Sequence, residues 1–240
     1  MNPKETDPSV KDFRDRTLRL IGPAAMERLQ KASVLVVGLG GVGGHIAENL
    51  ARAGVGTLGL CDFDRVDVTN LNRQILAVSH TVGMEKTKAA AERFHSINPD
   101  LVLREYPLRL TADTLPELQL ERYDYIADAI DDVGAKVLLI RTARELGIPV
   151  ISAMGAGNKL DPARFRIAPV SKSHTCPLAR VMRRELRALG LSDVPVLFSD
   201  ETPPERPEAE GPRVTASISY MPAVAGTMIA GKILKDLIKK

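Results

Sequence analysis

The chain of 240 residues predicts a doubly wound α/β fold with a mostly parallel sheet. Short β-branched apolar runs alternate with segments of helical period through the first 157 residues. The first apolar run ends in a cluster of glycines, and two later runs end in acidic residues. After residue 157 the alternation changes, and we expect a C-terminal extension with a crossover loop, a basic helix and edge strands.

The elements of the first 157 residues have recognisable boundaries. Residues 1–12 indicate a flexible polar tail, and the segment 13–31 indicates one or two short helices broken at Gly22-Pro23. Continuous β-branched runs are typical of strands that are buried on both faces of a parallel sheet. The predicted strands cover 33–38, 57–64, 101–106, 123–131 and 149–154, and the predicted helices cover 42–53, 84–97 and 135–146.

The C-terminal extension has a different composition. Residues 200–214 are rich in Pro and Glu, so we expect a mobile loop there. The other predicted elements are edge strands over 165–170 and 194–199, a basic helix from Cys176 or Pro177 to Leu189, and a last helix from about Pro222.

Composition excludes several classes of protein. Hydrophobic residues make up 44% of the sequence, and no apolar run approaches the length of a membrane span. The N-terminal residues show no signal-peptide pattern, so we expect a cytoplasmic protein with no membrane partner. The formal net charge is only +3, so affinity for nucleic acid would need a local cluster of basic residues. Two cysteines are too few for a zinc site of four thiolates.

The turn VGLGGVGG, which follows the first strand, predicts a nucleotide site. Gly38, Gly40 and Gly43 match the G-x-G-x-x-G pattern, with a strand before it and a helix after it. Gly40 and Gly41 would let backbone N–H groups approach a phosphate, and Gly43 would let the helix lie close to the strand. Asp62 ends the second strand, where an acid accepts ribose hydroxyls. These residues leave open whether the nucleotide is a redox dinucleotide or ATP.

Three residues further along the chain favour a triphosphate. A triphosphate carries more charge than a dinucleotide's pyrophosphate, and it needs fixed cations and a metal ion. Arg73 and Lys86 could supply the cations, and Asp131 could be a magnesium ligand. Each has an ordinary alternative, since an exposed Arg or Lys is usually solvated and Asp131 could cap the next helix. The candidate nucleotide ligands are Gly38, Gly40, Gly41, Gly43, Asp62, Asp64, Asn70, Arg73, Gln74, Lys86 and Asp131.

Five motifs taken together resemble one enzyme superfamily. They are RTLRLIG (16–22), GLGGVG (38–43), DFDRVDVTNLNRQ (62–74), VGMEKT (82–87) and DAID (128–131). The sequence thereby resembles the ATP-dependent adenylating enzymes of the ThiF/MoeB/HesA type, which activate ubiquitin and sulfur-carrier proteins. The resemblance implies a Rossmann-like fold and one adenylating domain over 13–240, with an ATP-binding half (13–157) and a substrate-binding half (158–240).

The resemblance also implies roles for single residues. Asp62 would hold the ribose of ATP, and Asn70 and Gln74 would shape the pocket. Arg16 matches an arginine that members lend across a homodimer to the partner's ATP, so a homodimer is expected. Asp131 would serve Mg²⁺. The implied catalytic residues are Arg16, Arg73, Lys86 and Asp131, with Arg73 and Lys86 on the phosphates.

The C-terminal half is similar to one branch of the superfamily. The chain lacks the two CxxC pairs that are common in the carrier-activating branch. SAMGAGNKLDPARFRIAPVSKSHTCPLARVMRRELR and SISYMPAVAGTMIAGKILKDLI resemble the tRNA threonylcarbamoyladenosine dehydratases, which often have Asp at the position of Cys176. That branch adenylates the carboxylate of a threonylcarbamoyl group beside the anticodon and closes a ring with release of AMP. A bound K⁺ or Na⁺ and a sulfur-transfer protein partner are left open.

Two alternatives stay open beside an ATP-dependent tRNA dehydratase. The first is an adenylyltransferase that activates the Gly-Gly terminus of a sulfur-carrier or ubiquitin-like protein. The second is an NAD-binding oxidoreductase or a non-catalytic dinucleotide-binding module, for which Arg16, Arg73, Lys86 and Asp131 would have no common purpose.

The basic helix is a candidate surface for tRNA. Its arginines recur at i, i+3, i+4 and i+7 and therefore share one face. Arginine contacts RNA phosphates and stacks on bases, although a solvated amphipathic helix gives the same pattern. The candidate tRNA contacts are Arg180, Arg183, Arg184 and Arg187, and the residues expected to pack on the body are Leu178, Met182, Leu186 and Leu189.

The two cysteines and four histidines predict no further chemistry. Cys176, in a loop beside basic residues at a helix start, could be a reactive thiol, but a packed thiol is the favoured interpretation. Cys61 lies within a strand and is expected in the core. The histidines show no metal-ligand spacing.

Overall fold

The computed structural model describes residues 12–202 and 215–239. Apart from Asp12, the predicted N-terminal tail lies outside these residues, and so does segment 203–214 of the predicted mobile loop. The part of that loop that is described is anchored, because Asp200 pairs with Arg164 and the carboxylate of Glu201 accepts backbone hydrogen bonds from Leu160 and Asp161.

Seven strands form one sheet in the order β3-β2-β1-β4-β5-β7-β6. Every neighbouring pair is parallel except β6 and β7, so the predicted mostly parallel sheet is confirmed. One detail is wrong: β7 lies between β5 and β6 rather than at an edge. The strands are β1 (Ser33–Val37), β2 (Thr57–Cys61), β3 (Val102–Tyr106), β4 (Tyr125–Asp128), β5 (Val150–Ala153), β6 (Phe165–Pro169) and β7 (Pro195–Ser199).

Helices cover both faces of the sheet, as a doubly wound fold requires. No helix within 12–202 and 215–239 is long and apolar enough to cross a membrane. The helices are α1 (Asp15–Ile21), α2 (Pro23–Lys31), α3 (Gly41–Ala53), α4 (Lys86–Ile97), α5 (Val133–Glu145), α6 (Pro177–Ala188) and α7 (Tyr220–Leu237).

Two strands end earlier than the sequence predicts. The strand predicted over 57–64 ends at Cys61, and the strand predicted over 123–131 ends at Asp128. Pairing stops there because the chain turns at the carboxyl edge of the sheet. The acids at 62, 64 and 131 therefore lie on loops beyond the strands, where their side chains are not committed to a face of the sheet.

The core consists of two layers separated by the sheet. Alternate residues of β1 point to opposite faces. Val34 and Val36 pack with α3, α4 and α7, whereas Leu35 and Val37 pack with α5 and α6. All four side chains are buried, and burial of each contributes about 1.5–3 kcal/mol. This central strand leads directly into the glycine-rich turn.

The C-terminal helix packs tightly against the helix that follows the glycine turn. A Cβ atom on Gly226 of α7 would lie 2.5 Å from the carbonyl oxygen of Val42, and one on Gly41 would lie 2.8 Å from Cβ of Pro222. Gly41 is therefore required by helix packing, a reason that the sequence analysis did not identify. The start of α3 is held between the sheet and α7.

Candidate nucleotide-binding site

The glycine turn joins β1 to α3 in a geometry that excludes side chains at two positions. Gly38 has a φ of +88°, and a Cβ atom there would lie 2.6 Å from the carbonyl oxygen of Ala129. A Cβ atom on Gly43 would lie 1.7 Å from the carbonyl oxygen of Gly38. The turn thus brings α3 against the end of β1, and the interpretation of the G-x-G-x-x-G pattern fits the geometry.

The N-terminus of α3 offers backbone donors to an anion. Gly40 is the N-cap of α3, and no side chain of the described residues forms a capping hydrogen bond there. The backbone N–H groups of the first turn are therefore free to donate to an anion at the positive end of the helix dipole. Beside Gly40 lies the buried amide of Gln74, with Nε2 at 4.0 Å from the position of a Cβ atom and Oε1 without a partner among the described groups. An uncapped helix end with a glycine that leaves space in front of it fits a phosphate.

Asp62 lies beside this turn and is nearly buried. Its Oδ2 accepts a hydrogen bond from the backbone nitrogen of Leu39 at 2.6 Å, and its Oδ1 accepts one from that of Asp64 at 2.8 Å. Burial raises the pKa of Asp62, and the nearby Lys86 ammonium opposes this shift. Each carboxylate oxygen retains a lone pair, so the side chain can still accept ribose hydroxyls.

Lys86 places a cation at the same edge. Its Nζ lies 3.0 Å from Oδ2 of Asp64 and 3.9 Å from Oδ2 of Asp62, although the lysine side chain is buried. The backbone nitrogen of Lys86 donates to the carbonyl of Asp64, which fixes the start of α4 against the loop. A cation held this way between two carboxylates is preorganised for phosphate oxygens.

The loop between β2 and α4 is stabilised by its own polar groups. Asn70 and Asp67 form a capping box, in which Oδ1 of Asn70 accepts from the backbone nitrogen of Asp67 at 3.1 Å. Asn70 therefore shapes the loop through the backbone. Arg73 is half-buried, and its Nη1 donates to the carbonyl of Thr69 and to Oδ1 of Asn72, both at 2.9 Å.

Asp131 is exposed beyond β4 and is not the helix cap. Asp132 caps α5, since its Oδ1 accepts from the backbone nitrogen of Ala135 at 2.8 Å. The alternative that Asp131 caps this helix is therefore wrong, and its carboxylate stays available. No group of three or more His, Cys, Asp or Glu side chains in the described ranges could hold a metal ion alone. One carboxylate together with nucleotide phosphates fits Mg²⁺, which prefers oxygen ligands and keeps several waters.

Three fully buried polar residues beneath the site were missed by the sequence analysis. Nζ of Lys136 lies 2.9 Å from Oδ2 of Asp128, and Oγ of Ser152 donates to the same oxygen at 2.6 Å. The sequence contains one signal for this cluster: Asp128 ends an apolar strand, and Lys136, eight residues later, lies on the buried face of the following helix. Residues in β4, β5 and α5 are joined by this cluster.

Arg16 is not brought to the site of its own chain. It is exposed on α1, and the residue before this helix, Arg14, packs against Gly54, where a Cβ atom would lie 3.0 Å from Cδ of the arginine. Gly54 ends α3, whereas the glycine turn begins it. A helix of 13 residues is about 20 Å long, so α1 lies at the far end of α3 from the candidate site.

The arginine stripe on α6 is only partly exposed. Arg183 is half-buried, with Nη1 donating to the carbonyl of Ser173 at 2.5 Å, so it is held against the body of the protein. Leu189 is 43% exposed and does not pack as expected, whereas Met182 and Leu186 are buried. The arginines that remain exposed are Arg180, Arg184 and Arg187.

Both cysteines are buried. Cys176 precedes α6, and its Sγ lies 3.4 Å from the position of a Cβ atom on Gly155, so the favoured packed interpretation agrees with the structure. Cys61 lies in β2, and burial together with the Asp62 charge raises its pKa to about 12. Neither thiol is exposed at the candidate site.

The similarity to two named proteins covers nearly the whole chain. The chain is 39% identical over 233 residues to the tRNA threonylcarbamoyladenosine dehydratase of Bacillus subtilis, covering 91% of this chain and 92% of the relative. Its fold matches the crystal structure of E. coli tRNA N6-threonylcarbamoyladenosine dehydratase, TcdA, in complex with ATP. That match has a TM-score of 0.87 and 32% identity, and it covers 95% of this chain and 94% of the other.

A carrier-activating relative matches a smaller part. The chain is 40% identical over 138 residues to the sulfur carrier protein adenylyltransferase of Thermus thermophilus, covering 58% of this chain and 51% of that relative. The family model described as ThiF family matches residues 14–240. This match covers nearly the whole chain, and the chain belongs to the ThiF family.

Proposed function

We propose that the protein is an ATP-dependent tRNA threonylcarbamoyladenosine dehydratase. The observation that supports this most strongly is the identity to a named dehydratase through both halves of the chain, 91% of its length. The similarity to the carrier adenylyltransferase is confined to 58% of the chain. The test is incubation with ATP, Mg²⁺ and tRNA bearing threonylcarbamoyladenosine, followed by mass spectrometry of the nucleosides. The modified nucleoside should lose one water, and an unchanged nucleoside would refute the proposal.

The reaction is chemically balanced without a covalent enzyme intermediate. An oxygen of the threonylcarbamoyl carboxylate attacks the α-phosphorus of ATP, and the bond to pyrophosphate breaks. A nitrogen of the same side chain then attacks the activated carbonyl carbon, the bond to AMP breaks and the nitrogen loses its proton. The sum is loss of one water, whose oxygen leaves on AMP. Neither step needs a thiol, in agreement with two buried cysteines.

The proposed roles follow from the positions of the residues. The first-turn N–H groups of α3, with Lys86 and Arg73, would neutralise charge on the phosphates. Asp62 and Asp64 would contact the ribose side of the nucleotide. Asp131 would hold Mg²⁺, which supplies further neutralisation of phosphate charge when bound. Whether K⁺ or Na⁺ is bound stays open, and turnover in tetramethylammonium buffer with each salt added tests it.

We further propose a homodimer in which Arg16 acts on the partner's ATP. The support is that α1 lies about one helix length from the candidate site of its own chain. Mixing two inactive variants tests the proposal. A dimer of one Arg16→Ala chain and one Lys86→Met chain contains one intact site if Arg16 acts in trans. Activity should reappear on mixing, and its continued absence in verified mixed dimers would contradict the proposal.

The tRNA is proposed to contact the exposed arginines of α6. The start of this helix lies near Gly155, just after β5, at the sheet edge that carries the candidate site. Arg180→Glu with Arg187→Glu should weaken tRNA binding about tenfold or more at physiological salt and leave ATP binding unchanged. A substitution of Arg183 is a poor probe of tRNA binding, because Arg183 donates a hydrogen bond to the carbonyl of Ser173 and its loss would also disturb the protein. Equal tRNA affinity in the double variant would exclude this surface.

A carrier-protein adenylyltransferase is the alternative that the same assay separates. It would release pyrophosphate with a carrier that ends in Gly-Gly and would ignore the modified tRNA. Whether a sulfur-transfer protein binds the chain stays open, and affinity capture of the purified chain with a purified sulfur-transfer protein tests it.

A further inference from the structure

We propose that the buried cluster of Asp128, Lys136 and Ser152 positions the turn that presents Asp131. This inference rests on the proposed role of Asp131 in holding Mg²⁺. The three side chains are 0% exposed, and none of them can touch a nucleotide or a metal ion. They are positioning residues, and their effect would pass through the backbone of residues 129–132.

The cluster joins three elements at the end of the central strands. Asp128 pairs in register with Val37 of β1, the residue before the glycine turn, and with Ser152 of β5. Lys136 reaches the cluster from the second turn of α5, with Nζ at 2.9 Å from Asp128 and 3.2 Å from Oγ of Ser152. A single carboxylate therefore fixes α5 to two strands of the sheet.

The backbone on both sides of Asp131 is tied to this cluster. On one side, the nitrogen of Ile130 donates to Oδ1 of Asp128 at 3.1 Å. On the other side, the nitrogen of Lys136 donates to the carbonyl of Asp132 at 3.1 Å. Asp131 lies between these two fixed residues, so the cluster determines the backbone position from which its side chain extends.

The same turn supports the glycine loop. The nitrogen of Ala129 donates to the carbonyl of Val37 at 2.8 Å, and the carbonyl of Ala129 faces Gly38. These contacts hold Ala129 to the glycine turn, so a shift confined to residues 130–132 would move the carboxylate of Asp131 and leave the glycine turn in place.

Stability alone does not account for a buried ion pair at this position. Removing two charges from water is costly, and apolar side chains of similar volume often give equal or greater stability. The pair is instead suited to fixing one conformation. Outer-sphere residues that orient metal ligands commonly alter metal affinity 10–100-fold when they are changed.

Calorimetric titration of ATP, with and without Mg²⁺ and in the absence of tRNA, tests the proposal. The variants are Asp131→Asn, the pair Asp128→Asn with Lys136→Met, and all three changes together. Without Mg²⁺ every variant should bind ATP as the unaltered protein does. With Mg²⁺, Asp131→Asn and the pair should each lose about tenfold in affinity, and the triple variant should be no weaker than Asp131→Asn.

A matched control removes another ion pair with a buried carboxylate. Glu48→Gln with Arg93→Met breaks the contact between α3 and α4, and it should leave the Mg²⁺ effect unchanged. If the Asp128 and Lys136 pair fails to fold, Ser152→Ala keeps both charges and removes the hydrogen bond to Oδ2 of Asp128. That variant should lose about threefold in affinity with Mg²⁺ only.

The outcomes separate the two proposals. If Asp131→Asn binds Mg²⁺ and ATP normally, the proposed metal role fails. If Asp131→Asn loses affinity while the folded Asp128 and Lys136 pair, or Ser152→Ala, keeps it, the positioning role is overturned. A triple variant that is weaker than Asp131→Asn by the full effect of the pair also overturns it, because the cluster would then act independently of Asp131.

Discussion

The backbone nitrogen of Leu39 donates a hydrogen bond of 2.6 Å to the carboxylate of Asp62. This bond joins the carboxyl end of β2 to the glycine turn after β1. The residue that the sequence predicts to accept the ribose hydroxyls therefore also holds the glycine turn in place. If the predicted role is correct, one side chain both binds the ribose and fixes the shape of the turn.

Asp62→Asn should reduce ATP affinity more than it reduces stability. Asparagine has one side-chain oxygen for two backbone donors, which costs stability. It also replaces a carboxylate whose pKa is raised by burial, so the cost of burying a charge is removed. Because these effects oppose each other, the free energy of unfolding should change by about 1 kcal/mol or less. The dissociation constant for ATP should rise about tenfold, since a charged acceptor is lost. Asp113→Asn, at an exposed position, should change neither quantity.

Gly43→Ala should abolish the nucleotide site. The new methyl group would lie 1.7 Å from the carbonyl oxygen of Gly38, so α3 must move away from β1. We expect loss of several kcal/mol of stability or failure to fold. Gly231→Ala is the matched control, because no atom beyond its own stretch of helix lies within 4 Å of the new methyl group, and alanine there should stabilise α7 by about 0.5–1 kcal/mol. Urea unfolding of both variants measures the contrast, and equal stabilities would contradict it.

Lys86→Met should remove a large part of the adenylation rate. It deletes the cation that lies 3.0 Å from Asp64 and 3.9 Å from Asp62 and leaves a side chain of similar volume. Loss of one preorganised charged donor lowers rates by about 10²–10³-fold. Single-turnover pyrophosphate release measures this step. Lys88→Met, exposed on the same helix, should keep the full rate, and a Lys86→Met rate within threefold of the unaltered protein would argue against the role.

Glu48 predicts a pH dependence of stability. Burial acts to raise its pKa, but hydrogen bonds and charge from Arg93 and Arg52 outweigh burial and lower it below 4.5. A lowered pKa means that the stabilisation is present above pH 4.5 and is lost as pH falls through the folded-state value. Glu48→Gln should cost about 1–2 kcal/mol at pH 7, and the difference should shrink below pH 4. Glu27→Gln, whose partner Lys31 is exposed, should show no measurable effect at either pH.

Local patterns predicted the parts of the molecule that depend on neighbours in the sequence. The glycine turn, the helix stop at Gly54 and the break at Gly22-Pro23 are set by backbone geometry, and the structure has all three. The family resemblance is confirmed as well. The roles of Arg73, Lys86 and Asp131 on ATP stay predictions.

Contacts between packed elements account for what the sequence did not predict. The place of β7 inside the sheet depends on pairing with β5, which no local pattern encodes. Gly41 is needed because Pro222 packs on it, 181 positions away. Arg183 is not free like the other arginines of α6, because its Nη1 donates a hydrogen bond to the carbonyl oxygen of Ser173 on the preceding loop. The Asp128 and Lys136 pair is only eight residues apart in sequence, but its complete burial depends on the packing of α5 against β4.

The most direct measurement is AMP release with defined acceptors. The purified protein is incubated with ATP and Mg²⁺ and one of three acceptors: tRNA with threonylcarbamoyladenosine, the same tRNA without that modification, or a carrier protein that ends in Gly-Gly. The proposed function predicts one AMP for each cyclised nucleoside with the modified tRNA and background AMP with the other two. AMP formation with the carrier alone, or none with the modified tRNA, would contradict it.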